Sequence, residues 1–276
     1  MSGRCDQLPE SSHIFAASSH AGGYDEAMAA NLEHLLSHYP SWRPPLALDL
    51  TIMPEHPCVY RPGRAARMRA FYADSIPPDL YHQFMDAGFR RSGKVIYQPM
   101  CAGCRGCIPI RIPTARFRPD KSQRRCRRRN QDLRVNQERP SASAEKFAIY
   151  QRYQQQWHGG EMGTDFDSFV SFLYESPVES VEFTCRDDSG RLLAVGLCDL
   201  CESSLSSVYF YFDPADAQRG LGTFGALCEL EFARLRNIPY YYLGYWVSDC
   251  RTMAYKTSFR PCELLSTDGI WREKNT

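Results

Sequence analysis

The stretch that decides the fold is SSVYFYFDPADAQRGLGTFGALCELEFARLRNIPYYYLGYW, residues 206–246. Its first seven residues are mostly aromatic or β-branched, which predicts a strand over 206–212. Gly220 and Gly222 make a turn, and a long helix over 223–236 follows Gly222. Tyr240-Tyr241-Tyr242-Leu243-Gly244-Tyr245-Trp246 then reads as a further strand, dense in rings that can pack a core or line a cleft and stack on a base.

Working outward, 181–186 and 192–200 extend the series of strands, and helices are expected over 144–157 and 166–174. Strands, a glycine turn into a helix and another strand describe the core of an N-acetyltransferase-type acyltransferase. In such a core, backbone N–H groups at a helix N-terminus hold the pyrophosphate of an acyl-CoA, and Gln218-Arg219-Gly220-Leu221-Gly222-Thr223 is similar to that loop. Its glycine spacing fits poorly, which points to an acyl donor other than CoA. Pro140 and the small residues 141–144 make a linker; before it, 78–88 predicts a short helix stopped by Gly88, with strands over 94–98 and 107–112. Residues 1–55, with a helical pattern at 25–38 and a proline-stiffened stretch at 40–45, read as a loosely attached extension. The expected fold is therefore α+β. An acetyltransferase-like (GNAT-type) C-terminal domain covers 141–276, a smaller cysteine-containing α+β domain covers 56–140, and 1–55 stays unassigned.

The bulk numbers agree: 276 residues with 43% hydrophobic and 24% charged content suffice for one large core or two modest ones. A formal net charge of +1 argues against a wholesale polyanion binder, so any contact with nucleic acid has to be local. There is no apolar run of about 18 residues and no basic-then-apolar leader, so a cytoplasmic protein without a membrane partner is expected. In that compartment the twelve cysteines stay reduced, bind metal or fill cores. Cys185, Cys198, Cys201, Cys228 and Cys262, scattered in apolar surroundings, read as small buried hydrophobes.

Two clusters carry chemistry. Cys101-Ala102-Gly103-Cys104-Arg105-Gly106-Cys107 spaces three thiols around a glycine loop, and Cys58 is the candidate fourth donor for a structural zinc ion or an iron–sulfur cluster. A loop of reduced thiols or a redox pair is the alternative. Between Arg111 and Arg129 nine cations (Arg111, Arg116, Arg118, Lys121, Arg124, Arg125, Arg127, Arg128, Arg129) face the single acid Asp120, a footprint for phosphates, with Ser122 and Gln123 as neutral donors. A solvated basic helix is the plainer reading. Phe89-Arg90-Arg91-Ser92-Gly93 presents two guanidinium groups from a turn, and Lys256 adds a cation beside aromatic residues.

Together, Cys58-Val59-Tyr60-Arg61-Pro62-Gly63, Gly88-Phe89-Arg90-Arg91-Ser92-Gly93, Tyr97-Gln98-Pro99-Met100-Cys101, Ser122-Gln123-Arg124-Arg125, Tyr242-Leu243-Gly244-Tyr245-Trp246 and Met253-Ala254-Tyr255-Lys256 resemble the aminoacyl-tRNA–protein transferases, over about 58–271. The pattern is most similar to that of the bacterial leucyltransferases acting on N-terminal aspartate and glutamate. It departs from the eukaryotic arginyltransferases in having Arg61 where they place a second early cysteine. The resemblance implies an enzyme that transfers an aminoacyl group, leucyl rather than arginyl, from charged tRNA to proteins with N-terminal Asp or Glu, marking them for degradation. It implies no required cofactor. A CoA-dependent N-acetyltransferase and a non-catalytic metal-containing RNA-binding protein are the rival readings. For an acidic acceptor the expected binding residues are Arg90, Arg91, Ser92, Tyr209, Tyr245, Tyr255 and Lys256; for tRNA, Ser122, Gln123, Arg124, Arg125 and Arg128; for a metal, Cys58, Cys101, Cys104 and Cys107. No covalent nucleophile is expected, because the ester is already activated, and no general base can be named.

Overall fold

A computed structural model describes Pro45 and residues 48–158 and 165–274. The helical pattern at 25–38 and most of the stretch at 40–45 lie outside the described residues. In chain order the elements are the short strands β1 (Thr51–Ile52), β2 (His56–Pro57) and β3 (Ala65–Ala66), then β4 (Met68–Tyr72), α1 (Pro78–Asp86), β5 (Arg90–Ser92), β6 (Val95–Pro99), β7 (Ile108–Pro113), α2 (Lys121–Arg129) and β8 (Arg134–Glu138). There follow α3 (Ala144–His158), α4 (Phe166–Leu173), β9 (Ser180–Arg186), β10 (Leu192–Leu200), β11 (Ser204–Phe212), α5 (Leu221–Leu235), β12 (Tyr240–Trp246), β13 (Glu263–Leu265) and β14 (Trp271–Glu273). Short 3-10 helices cover Pro214–Arg219 and Arg251–Ser258.

The protein is α+β, built on an eight-stranded mixed sheet in the order β14-β13-β7-β12-β11-β10-β9-β8 and a four-stranded sheet in the order β1-β4-β6-β5. β7 and β8 precede the linker at Pro140, yet both belong to the larger sheet, and β7 sits between β12 and β13. Leu227, Leu230 and Phe232 of α5 pack against Ile110, Phe183, Leu205 and Tyr241 on one face of that sheet. Ile149 and Tyr150 of α3 and Phe169 and Leu173 of α4 pack against Val195, Leu197, Tyr209 and Tyr211 in a separate core cluster.

One pairing positions the site. β11 and β12 run parallel, a pairing that the crossover through α5 allows, but they pair only at Ser204↔Tyr240, Leu205↔Tyr241 and Ser206↔Tyr242. Past Ser206 both strands leave the ladder. On β11 the register against β10 goes from Cys198↔Ser207 to Leu197↔Tyr209, so Val208 is an extra residue, a bulge. The bulge changes the phase of the strand, leaving Leu205 with the α5 cluster and Tyr209 and Tyr211 with that of α3. On β12 Gly244 takes φ +75°, a left-handed conformation open to glycine, and the register against β7 slips between Tyr242 and Tyr245. The two strands part into a cleft.

Candidate active site

The cleft encloses about 460 Å³. Its walls are β11 from Ser207 to Phe210, β12 from Leu243 to Tyr245, the first turns of α5, Tyr153 and Trp157 of α3, and Met253, Tyr255 and Lys256 of the second 3-10 helix. Arg90 and Tyr97 reach it from the smaller sheet. Gly220, at φ +71°, caps α5 without a side-chain hydrogen bond, and Gly220, Leu221, Gly222 and Thr223 border the cavity, so the positive end of the helix opens toward it. The loop is pinned from behind by α2. Cys126 Sγ donates to the Gly220 carbonyl at 3.4 Å, Asn130 Nδ2 to the Arg219 carbonyl at 3.0 Å, and Arg129 to the Gln218 carbonyl at 2.6 Å.

Arg90-Arg91-Ser92 is a strand rather than a turn, paired antiparallel to β6. Successive side chains on a strand point to opposite sides, so the two arginines separate. Arg90 enters the cleft, where its guanidinium donates to Ser206 Oγ and to the Ser207 carbonyl, at the level where β11 leaves β12. Arg91 points away from the cavity into a buried ion pair, with Nε 2.7 Å and Nη2 2.6 Å from the Asp199 carboxylate, which also accepts from Tyr81 Oη at 2.7 Å and Ser180 Oγ at 3.0 Å. Ser92 is buried at the end of β5, outside the lining. Of the remaining residues expected at an acceptor site, Tyr209, Tyr245, Tyr255 and Lys256 all line the cavity. The Tyr209 hydroxyl accepts from Gln154 at 2.7 Å, Tyr245 donates to the Gly88 carbonyl at 2.8 Å, and Lys256 Nζ donates to the Tyr245 carbonyl at 2.9 Å.

The basic run divides in the same way. Arg111 leaves the footprint altogether: it is buried in the large sheet, bridging Asp86 at 2.6 Å and Glu263 at 2.7 Å while lying over the rings of Tyr240 and Trp271. Gln123 is buried and spent in a capping box with Asp120, and it donates to the Ser258 carbonyl at 3.2 Å. Ser122, Arg124, Arg125, Arg127 and Arg128 stand on the exposed face of α2, with Arg124 also donating to the Pro119 carbonyl.

The eleven described cysteines are free thiols. Burial first, then the neighbouring thiols Cys101, Cys58 and Cys104, push the Cys107 thiol up, so the four expected donors converge on one region. Arg61 stands among them. Its guanidinium lies 3.4 Å from Cys104 Sγ and 2.8 Å from Asp249, and a Cβ on Gly106 would meet it at 2.7 Å. Among the described residues no three His, Cys, Asp or Glu side chains are grouped as metal ligands.

Two models of one family match the chain: Arginine-tRNA-protein transferase, N terminus, over 56–125, and Arginine-tRNA-protein transferase, C terminus, over 145–266. An aspartate/glutamate leucyltransferase of Hahella chejuensis is 42% identical over 78% of this chain and 93% of its own length, and one of Chromobacterium violaceum is 40% identical over 79% and 90%. The chain belongs to this transferase family. The transferase also aligns with the C-terminal domain of a putative lysylphosphatidylglycerol synthetase from Agrobacterium fabrum, at a TM-score of 0.46 and 16% identity over 74% of this chain and 65% of that one, too distant to carry an argument.

The sequence does not single out Glu229, nor Tyr153 and Trp157 of α3, which also line the transferase's cleft. Glu229 of α5 lines the cavity and is 1% exposed. Its signal was present: with Gly225 four residues before it and Phe232 three residues after it, Glu229 holds an inward position of the helix, where an acid is out of place. Among the described residues no helix is long and apolar enough to cross a membrane.

Proposed function

We propose that this transferase is a cytoplasmic enzyme that moves a leucyl group from charged tRNA to the N-terminal Asp or Glu of proteins, marking them for degradation. One observation carries the reading: the cleft where β11 and β12 part presents a cation, Arg90, and a bare helix N-terminus to one cavity, on a molecule whose α2 turns a row of arginines to solvent. In this reading the large sheet and α5 make an acetyltransferase-like unit whose cleft takes an aminoacyl ester in place of the thioester of a CoA-dependent acyltransferase. The smaller sheet supplies the acceptor's cation.

The ester of an aminoacyl-tRNA is already activated. Catalysis therefore reduces to placing a neutral amine against its carbonyl and stabilising the oxyanion that forms. The N–H groups of the first turn of α5 and the backbone of the Val208 bulge are the donors available to that oxyanion. Arg90 and Lys256 hold the acidic side chain of the acceptor, and each charge-assisted contact contributes roughly 1.5–3 kcal/mol. Arg91 and Ser92 act from behind, by holding β5 in register. Val208, Phe210, Leu243 and Met253 give the cavity an apolar lining that suits a leucyl side chain better than an arginyl one. Ser122, Arg124, Arg125 and Arg128 contact the phosphates of the acceptor stem. Cys58, Cys101, Cys104 and Cys107 would be the donors of a structural zinc ion or iron–sulfur cluster once Arg61 had moved off Cys104, and elemental analysis with visible absorbance of anaerobically prepared protein tests this. No step of the transfer is routed through it.

The deciding experiment incubates the protein with a mixture of charged tRNAs and a peptide beginning with Asp, and weighs the product. A gain of one leucyl residue is expected. A gain of one arginyl residue corrects the donor, and acetylation supported by acetyl-CoA overturns the proposal.

A further inference from the structure

Five acids are buried among the described residues: Glu182, Asp199, Asp213, Asp216 and Glu229. Four have a cation within bonding distance, namely Lys146, Arg91, Arg152 and Arg191 respectively. Glu229, which lines the cleft, has no ion-pair partner among the described residues. One of its oxygens accepts from the Tyr241 hydroxyl on β12; the other, Oε1, is buried without a hydrogen-bond partner among the described residues. Space is kept for it by a glycine, since a Cβ on Gly196 of β10 would lie 2.6 Å from Oε1. Gly225, one turn earlier on α5, makes similar room for Phe210, whose ring would lie 2.0 Å from a Cβ there. A buried carboxylate without a cation is costly, and a glutamine would accept the same Tyr241 bond without that cost. An acid in this place needs a reason beyond packing.

We infer that Glu229 is the proton acceptor for the incoming α-ammonium group of the acceptor protein. The inference rests on the transfer reading above. An acceptor that begins with Asp or Glu brings a carboxylate and an ammonium group a few bonds apart, and the cleft offers their complements across one residue. Arg90 binds the Ser207 carbonyl, and Glu229 lies beside the Ser207 side chain. With the acceptor's carboxylate on Arg90, its ammonium falls toward Glu229. The ammonium gives one proton to the Glu229 carboxylate, and the freed nitrogen lone pair forms the C–N bond with the ester carbonyl. When the tetrahedral intermediate collapses the C–O bond to the ribose breaks, the ribose oxygen takes the second proton from the nitrogen, and Glu229 returns its proton to solvent. No oxidant or further reactant enters.

The environment suits this task. Burial pushes the Glu229 carboxyl up to about 7, against the polar side chains beside it, Tyr241, Cys198 and Ser207, which pull it down. That is where a base has to stand to accept a proton and still be ionised at cellular pH. The other titratable groups around it, Tyr241 on β12, Cys198 on β10, Cys185 on β9 and Cys228 on α5, are all pushed well up by burial and stay neutral in that range, and a cation near this set is Arg90, beside Cys198.

The test is single-turnover transfer from leucyl-tRNA to an Asp-starting peptide across pH, for the natural protein and Glu229→Gln. The natural enzyme should show a limb rising through about pH 7, and the variant should be slower by about 10²-fold or more, with a profile that follows the amine alone near pH 8. KM for the peptide should change little. A second acceptor separates catalysis from architecture: the same peptide with a hydrazine in place of its N-terminal amine arrives already neutral, and on it the variant should approach the natural rate. A variant equally slow on both acceptors, or one with the natural pH profile and full rate, overturns the assignment. If the natural protein itself makes no leucyl product at any pH, the transfer reading fails instead.

Discussion

The two sides of β5 differ by one residue in sequence and by everything else in circumstance. On the core side Arg91 is matched against Asp199, with Tyr81 and Ser180 completing the carboxylate's bonds. On the cleft side Arg90 spends two contacts on β11 and keeps the rest of its donor fork facing a cavity. The same contrast recurs across α2, whose inner face uses Gln123, Cys126 and Asn130 to fix neighbouring loops while its outer face leaves arginines to solvent. Charges that build this protein are cancelled where they stand. Arg90 and the outer arginines of α2, which are proposed to meet substrate, face the cavity and solvent instead.

That contrast breaks most visibly at Arg91. Arg91→Ala should cost about 3–5 kcal/mol of unfolding free energy in denaturant titration, because Asp199 is left charged and buried. Replacing both partners by apolar residues of similar volume should recover most of the loss. Next comes Glu229, whose pKa is raised by folding, so the protonated form is favoured in the folded state: its contribution to stability is complete below the unfolded value near 4.5 and lost as pH rises through about 7. Glu229→Gln should therefore melt at a higher temperature than the natural protein at pH 8 and lose this pH dependence, a difference on the order of 3 kcal/mol. Arg90→Ala should fold with less damage and lower kcat/KM for Asp- and Glu-starting peptides by roughly 10- to 100-fold, with no such loss for a neutral N-terminal residue. At the gentle end, Arg125→Ala and Arg128→Ala should change stability by no more than about 0.5 kcal/mol while each lowers the salt dependence of tRNA binding by about one ion.

Much of the scaffold could be read from the chain alone. The strands at 181–186, 192–200 and 240–246 and the helix after the glycine loop all lie where aromatic density, apolar period and glycine punctuation place them. β5 could not be read, because three polar residues show no alternation and become a strand only by pairing with β6 in a buried setting. Arg111 was counted with the solvated cations because sequence proximity hides that Glu263, its partner across β13, is brought in from the far end of the chain. The Val208 bulge carries no local mark at all; it follows from how β10 and β11 align. Tyr245, Tyr255 and Lys256 lie in the family motifs while Tyr209 lies in none of them, and Lys256 is legible besides as a cation for an acidic acceptor.

β7 has one more consequence, and it concerns time rather than space. Its strand neighbours β12 and β13 begin only at Tyr240 and Glu263, so Ile108–Pro113 waits for the intervening chain to be made before its ladder can close. Until then β12, one wall of the cleft, has not been made. A nascent or truncated chain ending before residue 240 would already carry the arginines of α2 and could meet RNA, but it would have no cavity in which to use it. Late closure of the sheet thus ties the cavity to the making of β12.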